Sequence, residues 1–282
     1  MVYLLFNPLA NSGNGEKTKN EVKGTLEARF GSLEEKSVIE LKAKEFIDSL
    51  KDDDKVILLG GDGTLMRFAN ELGVLKMPCL IYLYKAGTGN DFLNDVASEV
   101  KDNLVQINKH LEHTATVYVN GKEYKYLNGI GYGIDGAACE IADEQRAAGK
   151  TKIDYTKISI NLLLFKFKCP SGDVTVDGVT KHYKKIWLAS GMNGRYYGGG
   201  MLTAPDQDRF SDKLTSVVWH DSGRLHTLMV FPKIFKGEHI KYKKMVDVRV
   251  GKDITVEFDK PCALQIDGET ILNVKKYRIV KK

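Results

Sequence analysis

The chain has few cysteines, and it has no long uninterrupted apolar run. Its four cysteines, Cys79, Cys139, Cys169 and Cys262, lie far apart in 282 residues and form no Cys-x-x-Cys or Cys/His spacing. Neither a disulfide framework nor a zinc site is therefore indicated, and a reducing cytoplasm is the expected compartment. No segment approaches the roughly 18 to 20 apolar residues that a membrane span requires, so any membrane contact is expected to be peripheral.

A strong excess of one charge is absent as well. Lys and Arg total 42, Asp and Glu total 37, and the net charge of +5 is too mild to indicate a nucleic-acid partner. Basic stretches at residues 181–185, 236–244 and 275–282 fit nucleotide phosphates or the anionic inner face of a membrane. An equally good interpretation of these basic stretches is that their lysines are ordinary solvated surface residues without a partner molecule. An apolar run at residues 158–168, which ends in lysines, is interpreted first as a helix packed on the core and second as an interfacial anchor.

The first 113 residues alternate strand and helix signals, which predicts an α/β domain with a parallel sheet. Strands are expected at residues 2–6, 37–41, 55–59 and 79–84, and helices at residues 16–29, 42–50 and 65–72. Glycine-rich turns follow three of these strands. Because ligands of open α/β sheets bind outside the carboxyl ends of the strands, these turns are the first candidates for a site.

From residue 114 the pattern changes to short alternating segments, which predicts a mainly antiparallel, β-sandwich-like domain over residues 114–272. Asn120-Gly121 predicts a hairpin turn between two of its strands. Further strands are expected at residues 174–176, 186–189, 214–219, 246–250 and 254–258, with one helical insertion between residues 139 and 168. A last strand within residues 273–282 could return to the first domain.

The strongest local signal is Gly60-Gly61-Asp62-Gly63-Thr64 after a buried strand. Glycines let the backbone approach a ligand closely, and the N–H groups at the start of the next helix point at an anion. The motif is neither a Walker A loop nor the dinucleotide fingerprint. Alone it fits a structural turn as well as a phosphate site, and the two other glycine turns in the same domain favour the phosphate site.

Six motifs occur in order along the chain. They are Asn7-Pro8 with Gly13 and Gly15; Gly60 to Thr64; Gly87-Thr88-Gly89-Asn90-Asp91-Phe92; Asn128-Gly129-Ile130-Gly131-Tyr132-Gly133-Ile134-Asp135; Gly199-Gly200-Met201 with Ala204-Pro205 and Asp212; and Asp267-Gly268-Glu269. This set resembles the diacylglycerol kinase catalytic-domain family, which includes bacterial lipid kinases and sphingosine kinases and is distantly related to NAD kinases and phosphofructokinases. The resemblance implies an NAD kinase-like or phosphofructokinase-like first domain and transfer of phosphate from ATP to a lipid hydroxyl.

The resemblance also implies roles for individual residues. Glu269 would be the general base, Asp62 would lie near the phosphates and their Mg²⁺, and Asp91 would face the site with Asp267 beside the base. The nucleotide would contact Asn7, Gly60, Gly61, Asp62, Gly63, Thr64, Leu65, Met66 and Thr88. Some bacterial members hold a structural Mg²⁺, which here would be bound by Asp212 and the backbone carbonyls of Arg209 and Leu214.

The residues themselves are consistent with phosphoryl transfer, which needs backbone donors, a carboxylate for Mg²⁺ and a carboxylate that orients the nucleophile. The chain departs from the family pattern at two places: Lys85-Ala86 precedes Gly87, and Met66 follows the Gly60 to Thr64 motif. These departures put the substrate in doubt more than the reaction. Two other functions stay open at this point. One is a kinase for a soluble acceptor such as NAD, and the other is a non-catalytic nucleotide- or lipid-binding regulator. The identity of the lipid and the formation of a homodimer are not decided by the sequence.

Overall fold

A computed structural model describes residues 1–8, 10–72, 76–86, 90–150 and 152–281. The chain divides into two compact units, residues 1–113 and residues 114–282. Among the described residues, no helix is long and apolar enough to cross a membrane.

The first unit contains a five-stranded sheet with the strand order β2-β1-β3-β4-β5. The strands are β1 Val2–Phe6, β2 Glu34–Ser37, β3 Lys55–Gly60, β4 Leu80–Lys85 and β5 Leu104–Gln106. The first four are parallel, as predicted for an α/β domain, and β5 runs antiparallel to β4 at the edge. β1 and β3 lie in the centre of the sheet, and nearly all of their residues are buried. Because both faces of these strands are covered, their sequences are almost entirely apolar.

The helices of the first unit are α1 Ala10–Gly13, α2 Gly15–Phe30, α3 Ala43–Ser49, α4 Asp62–Leu72, α5 Asp91–Asp95 and α6 Asn108–Glu112. Leu26 of α2 packs with Leu4, Ile57 and Leu59 of the sheet in one buried cluster. Two elements differ from the predicted bounds by three residues or more. β2 lies at Glu34–Ser37 and not at residues 37–41, because an edge strand pairs on one side only and needs no apolar run. α4 begins at Asp62 and not at residue 65, so the glycine motif forms its first turn.

The second unit is built on a ten-stranded antiparallel sheet, which confirms the predicted class. Its main path has the order β15-β14-β11-β8-β16-β17-β6-β7, and β9 pairs with β16 and β10. The bounds are β6 Ala115–Val119, β7 Lys122–Tyr126, β8 Gly129–Tyr132, β9 Gly172–Val176, β10 Val179–Tyr183, β11 Leu188–Met192, β14 Leu214–Trp219, β15 Val246–Gly251, β16 Asp253–Ile266 and β17 Glu269–Val280. A separate pair, β12 Tyr196–Tyr197 and β13 Met201–Leu202, forms a short ribbon.

Helices cover part of this sheet. They are α7 Ile134–Ala147, α8 Tyr155–Asn161, which continues into a π-helical turn at Leu162–Lys166, and α9 Arg224–Val230, which continues into 3₁₀ turns at Phe231–Lys236 and Glu238–Lys241. The apolar run at residues 158–168 packs Ile158, Leu162, Leu163 and Phe167 into a core with Trp187. This favours the packed-helix interpretation for most of the run. The helical segment at residues 224–241 was not predicted, because its apolar side chains are divided between buried and exposed positions.

The C-terminal strand belongs to the second unit. Residues 273–280 are the second half of β17, which pairs with β16 and β6, so the expected separate strand returning to the first domain is corrected. The hairpin predicted from Asn120-Gly121 joins β6 to β7, and both turn residues have positive φ angles of 48° and 74°. Positive angles at both central positions match the right-handed twist of the two strands.

Close packing of α7 on β16 generates a stability prediction. A Cβ atom on Gly136 would lie 2.0 Å from the carbonyl oxygen of Ala263, whereas a Cβ atom on Gly24 in α2 would meet nothing within 4 Å. We expect Gly136→Ala to lower the free energy of unfolding by about 1–3 kcal/mol through overpacking. We expect Gly24→Ala to raise it by about 0.5–1 kcal/mol, because alanine has the higher helix propensity. Urea unfolding of both variants measures the difference, and equal effects of the two would contradict the packing.

Candidate active site

In the first unit, the glycine motif turns the chain from β3 directly into α4. A Cβ atom on Gly60 would lie 2.5 Å from Cβ of Thr64, so only glycine lets Thr64 fold back over the turn. The intrahelical hydrogen bonds begin when Leu65 N–H donates to the Gly61 carbonyl at 3.1 Å. The N–H groups of Gly63 and Thr64 precede this bond in the first turn and can face an anion, and space is open around Gly63.

Asp62 links this turn to the next glycine motif. Its Oδ2 accepts a hydrogen bond from the backbone N–H of Asp91 at 2.8 Å, and its Oδ1 accepts one from Phe92 at 2.9 Å. These are the first residues of α5, so the carboxylate caps that helix. The structure thus brings Asp62 and the buried Asp91 together, as the motifs suggested. Thr88 lies outside the described residues.

Asn7 belongs to a third close turn. A Cβ atom on Gly15, the first residue of α2, would lie 1.9 Å from the Asn7 carbonyl oxygen, so helix and turn meet backbone to backbone. A depression opens beside this turn at the carboxyl ends of β1, β3 and β4. It is lined by Phe6, Asn7, Ala10, Gly15, Thr18, Leu59 and Ala86. Leu65 and Met66 are buried in the structure, so only their backbone atoms are suited to a nucleotide contact.

In the second unit, Asp267 and Gly268 form the two-residue turn between β16 and β17. Their φ angles are 46° and 98°. The buried Asp267 carboxylate accepts three backbone hydrogen bonds, from Leu127 at 2.6 Å, Asn128 at 3.0 Å and Gly129 at 2.9 Å. It fixes this turn to the Asn-Gly motif that precedes β8. In this geometry Asp267 positions the turn, and the catalytic role predicted for it stays a prediction.

Glu269 follows this turn as the first residue of β17. Its side chain is exposed, and among the described residues no cation forms an ion pair with its carboxylate. A carboxylate that is mounted on a fixed turn and open to approach has the accessibility that a proton acceptor needs.

Asp135, in the first turn of α7, is a candidate residue that the sequence analysis did not assign a role. The Tyr197 hydroxyl donates to its Oδ2 at 2.9 Å, while its Oδ1 is buried without a hydrogen-bond partner in the described part of the chain. Burial raises the pKa of the Asp135 carboxyl to about 6, against the lowering effect of the Tyr197 hydroxyl. The sequence did contain one indication of a role for Asp135, because this residue ends the glycine-rich motif that begins at Asn128.

Asp135 lies close to the β16–β17 turn, and Gln265 connects the two. A Cβ atom on Gly131 would collide with Asp135 Oδ2 and would lie 2.8 Å from Gln265 Nε2, so the two side chains converge over this glycine. Gln265 Oε1 in turn accepts a hydrogen bond from the Gly268 N–H at 2.8 Å. The second unit therefore gathers Asp135, Gln265, Asp267 and Glu269 around one end of the β16–β17 ribbon.

The residues predicted for a structural Mg²⁺ do not fit one. The Asp212 carboxylate pairs with the Lys252 ammonium, and the Arg209 carbonyl accepts a hydrogen bond from the Lys281 ammonium. Leu214 is the first residue of β14, opposite Gly251. Within the described ranges, no group of three or more His, Cys, Asp or Glu side chains could hold a metal ion.

The Asp135 carboxyl generates a prediction about stability and pH. Its pKa is raised in the folded protein, so the folded state holds this proton more tightly than the unfolded state, and the group destabilises the fold increasingly as pH rises from about 4 to 6. We expect Asp135→Asn to raise the free energy of unfolding by about 2–3 kcal/mol at pH 8. The gain should shrink as the pH falls towards 4. Thermal unfolding across this pH range measures it, and a gain that does not depend on pH would contradict the assignment.

Comparison with known proteins agrees with this geometry. The diacylglycerol kinase catalytic domain matches residues 1–120, and the YegS C-terminal NAD kinase beta sandwich-like domain matches residues 128–277. A protein named diacylglycerol kinase from Mycobacterium tuberculosis (strain CDC 1551 / Oshkosh) is 26% identical over 214 residues, covering 73% of this chain and 68% of that protein. A Bacillus subtilis (strain 168) protein, provisionally named lipid kinase YtlR, is 23% identical over 298 residues, covering 98% of this chain and 95% of that protein.

A solved structure supports the same architecture. The crystal structure of a diacylglycerol kinase from Bacillus anthracis str. Sterne superposes with a TM-score of 0.69 at 22% identity, covering 99% of this chain and 94% of that one. At this identity the likeness concerns the fold. The two domain matches together extend over most of the sequence, and the chain belongs to the diacylglycerol kinase catalytic-domain family, with a second domain of the YegS C-terminal type.

Proposed function

We propose that this chain is an ATP-dependent lipid kinase that transfers the γ-phosphoryl group to a hydroxyl of diacylglycerol or a related lipid. The observation that carries the proposal is the Asp267 turn, whose three backbone hydrogen bonds hold the exposed Glu269 in a fixed place. A binding protein has no need of a carboxylate that is fixed in this way and left open. The M. tuberculosis relative named diacylglycerol kinase supports the choice of acceptor.

The first unit supplies the nucleotide site in this proposal. The N–H groups of Gly63 and Thr64 in the first turn of α4 would receive phosphate oxygens, and the helix dipole favours their negative charge. The close turn of Asn7 and Gly15 lies at the same edge of the sheet. Phosphoryl transfer depends mainly on such positioning and charge neutralisation.

The Asp62 carboxylate would hold Mg²⁺ in this proposal. Its Oδ2 and Oδ1 accept hydrogen bonds from the backbone N–H groups of Asp91 and Phe92, which fix the carboxylate between the two glycine motifs. Oxygen donors of this kind are the ligands that Mg²⁺ prefers. When bound there, the ion would neutralise charge on the transferred phosphoryl group.

Glu269 is the proton acceptor in this proposal. The attacking hydroxyl of the lipid would donate its proton to the Glu269 carboxylate as its oxygen bonds to phosphorus and the bond from phosphorus to ADP breaks. Asp267 and Gln265 hold the turn on which Glu269 stands.

The substrate of such an enzyme lies in a bilayer, and the second unit offers a surface that suits one. Phe165 is 72% exposed, Leu225 72% and Met229 69%. We call these three side chains the apolar tips. The Arg224 guanidinium donates to the carbonyls of Leu163 at 2.6 Å and Phe167 at 2.7 Å, which fixes the start of α9 against the turn that carries Phe165.

The charge around the apolar tips favours an anionic membrane. Residues 155–168 and 223–237 contain no Asp or Glu. They contain six cationic residues, which are Lys157, Lys166, Lys168, Arg224, Lys233 and Lys236. Apolar side chains that insert at the interface, combined with lysines that contact lipid headgroups, are the usual means of peripheral attachment. We propose that the protein stays in the cytoplasm and attaches to the inner membrane face through this surface.

The general base can be tested by replacing Glu269 with glutamine. We expect Glu269→Gln to lower kcat roughly 10²- to 10⁴-fold while ATP binding is retained, because only proton acceptance is lost. Glu257→Gln, at an exposed glutamate on β16 that pairs with Lys276, is the matched control and should keep full activity. The assay uses labelled ATP and Mg²⁺ with diacylglycerol, a sphingoid base, NAD or no acceptor. Transfer to NAD alone would favour the soluble-acceptor kinase, transfer to no acceptor would favour the regulator, and an active Glu269→Gln variant would refute the mechanism.

The membrane surface can be tested by vesicle sedimentation without nucleotide. We expect Phe165→Ser/Leu225→Ser/Met229→Ser to weaken binding to vesicles of phosphatidylcholine and phosphatidylglycerol by roughly tenfold or more, because apolar area is no longer buried in lipid. Val179→Ser/Val250→Ser removes exposed apolar side chains elsewhere in the same unit and should bind like the wild type. Equal binding by both variants would exclude this surface. Self-association of the wild type that the triple variant loses would identify it as a contact between copies.

A further inference from the structure

Two lysines at one end of the β16–β17 ribbon reach the same loop. Lys252 precedes β16 and Lys281 follows β17, and the Lys281 N–H donates to the Lys252 carbonyl at 3.1 Å. Their side chains extend to the loop at residues 207–214, which leads into β14. Lys252 and Lys281 are neighbours in the backbone, and both of their ammonium groups contact the loop at residues 207–214.

Each ammonium contacts an oxygen for which a metal ion was predicted. The Lys281 ammonium donates to the Arg209 carbonyl, and the Lys252 ammonium pairs with the Asp212 carboxylate. Lys281 is buried, with 7% of its surface exposed, so its position is set by packing and not by chance on a mobile surface. Lys252 is the more exposed partner and contributes mainly through its charge.

Hydrogen bonds of Gln207 shape the backbone of this loop. Gln207 Nε2 donates to the carbonyls of Asp208 at 2.9 Å and Lys213 at 3.0 Å, and the Thr215 hydroxyl donates to Gln207 Oε1 at 2.6 Å. On the loop shaped in this way, Lys281 contacts the Arg209 carbonyl and Lys252 contacts the exposed Asp212 carboxylate. A cluster of carbonyl and carboxylate oxygens is the donor set of a hard cation such as Mg²⁺.

We propose that the ammonium groups of Lys252 and Lys281 replace the structural divalent cation at this loop, so that the chain holds the loop without a bound metal ion. The two lysines together carry the same charge as one Mg²⁺. An ammonium group also donates hydrogen bonds to the oxygen types that would otherwise coordinate the ion. Under this proposal the protein needs a divalent cation only together with its nucleotide and not at this loop.

The test uses the full-length protein after EDTA treatment and gel filtration, without nucleotide, and measures Tm from 0 to 10 mM MgCl₂. We expect the wild type to contain no stoichiometric divalent ion by elemental analysis and to show a Tm that does not change with Mg²⁺. Lys281→Met should lower Tm on the order of 5 °C, because a buried carbonyl loses its partner. Addition of Mg²⁺ should recover much of that loss, since the ion can now enter.

Matched variants separate a specific replacement from a general loss of charge. Lys276→Met removes an exposed lysine of the same strand that pairs with Glu257, and it should leave Tm independent of Mg²⁺. Asp212→Asn in the Lys281→Met background should abolish the recovery by Mg²⁺. If Lys281→Met does not fold, Lys252→Met is measured in the same way.

Three results would overturn the proposal. The first is a wild-type Tm that rises with Mg²⁺, or a divalent ion that stays with the wild-type chain through gel filtration. The second is a Lys281→Met variant, or its Lys252→Met substitute, with unchanged Tm in EDTA. The third is a destabilised variant that Mg²⁺ does not recover, since the lysine would then be an ordinary anchor and not the substitute for a cation.

Discussion

A single buried carboxylate, that of Asp267, determines how the second unit is organised around its site. Three backbone N–H groups compensate its charge, which would otherwise be costly to bury. One of them belongs to Asn128, whose side-chain oxygen accepts a hydrogen bond from the buried Arg209 at 3.4 Å. Through Arg209 the network continues to Lys281. The β16–β17 turn and the loop contacted by the two lysines are thus parts of one polar network.

In the first unit, too, an aspartate carboxylate binds the backbone of a distant turn. Asp62 lies in one glycine motif and accepts its hydrogen bonds from the backbone of the next, as Asp267 does in the second unit. In both cases a carboxylate fixes the position of a distant turn, and glycines nearby allow the backbone to come close enough. An aspartate of a family motif can therefore have a structural role even where the family is enzymatic.

Local patterns in the sequence were sufficient for much of the fold. The apolar runs of β1 and β3 predicted buried strands because burial on both faces leaves few other compositions, and Asn120-Gly121 predicted a hairpin because few residues tolerate two positive φ angles. β2 was misplaced because an edge strand of polar residues carries little signal. The glycine motifs predicted where a site would lie.

Contacts between residues that are distant in sequence could not be predicted from local patterns. The convergence of Asp135 and Gln265 over Gly131 depends on the packing of α7 against the sheet, which no local pattern encodes. The lysines that meet Arg209 and Asp212 are distant in sequence, and a basic stretch of residues cannot show which of its members is buried. The resemblance suggested a metal at this loop because it carried over the oxygen ligands without the cations of this particular chain.

The β16–β17 ribbon connects these features over a length of up to ~40 Å, at about 3.3 Å for each residue of a strand. Its turn carries Glu269, and its open end carries Lys252 and Lys281. Loss or gain of one residue within either strand would exchange the two faces of that strand and misplace one end relative to the other. The irregular register between Glu257 and Cys262 is the place where such a change could be absorbed. Among relatives that diverge in length, insertions and deletions should therefore collect at this irregularity or outside the ribbon, and the two strands should evolve as a unit of nearly constant size.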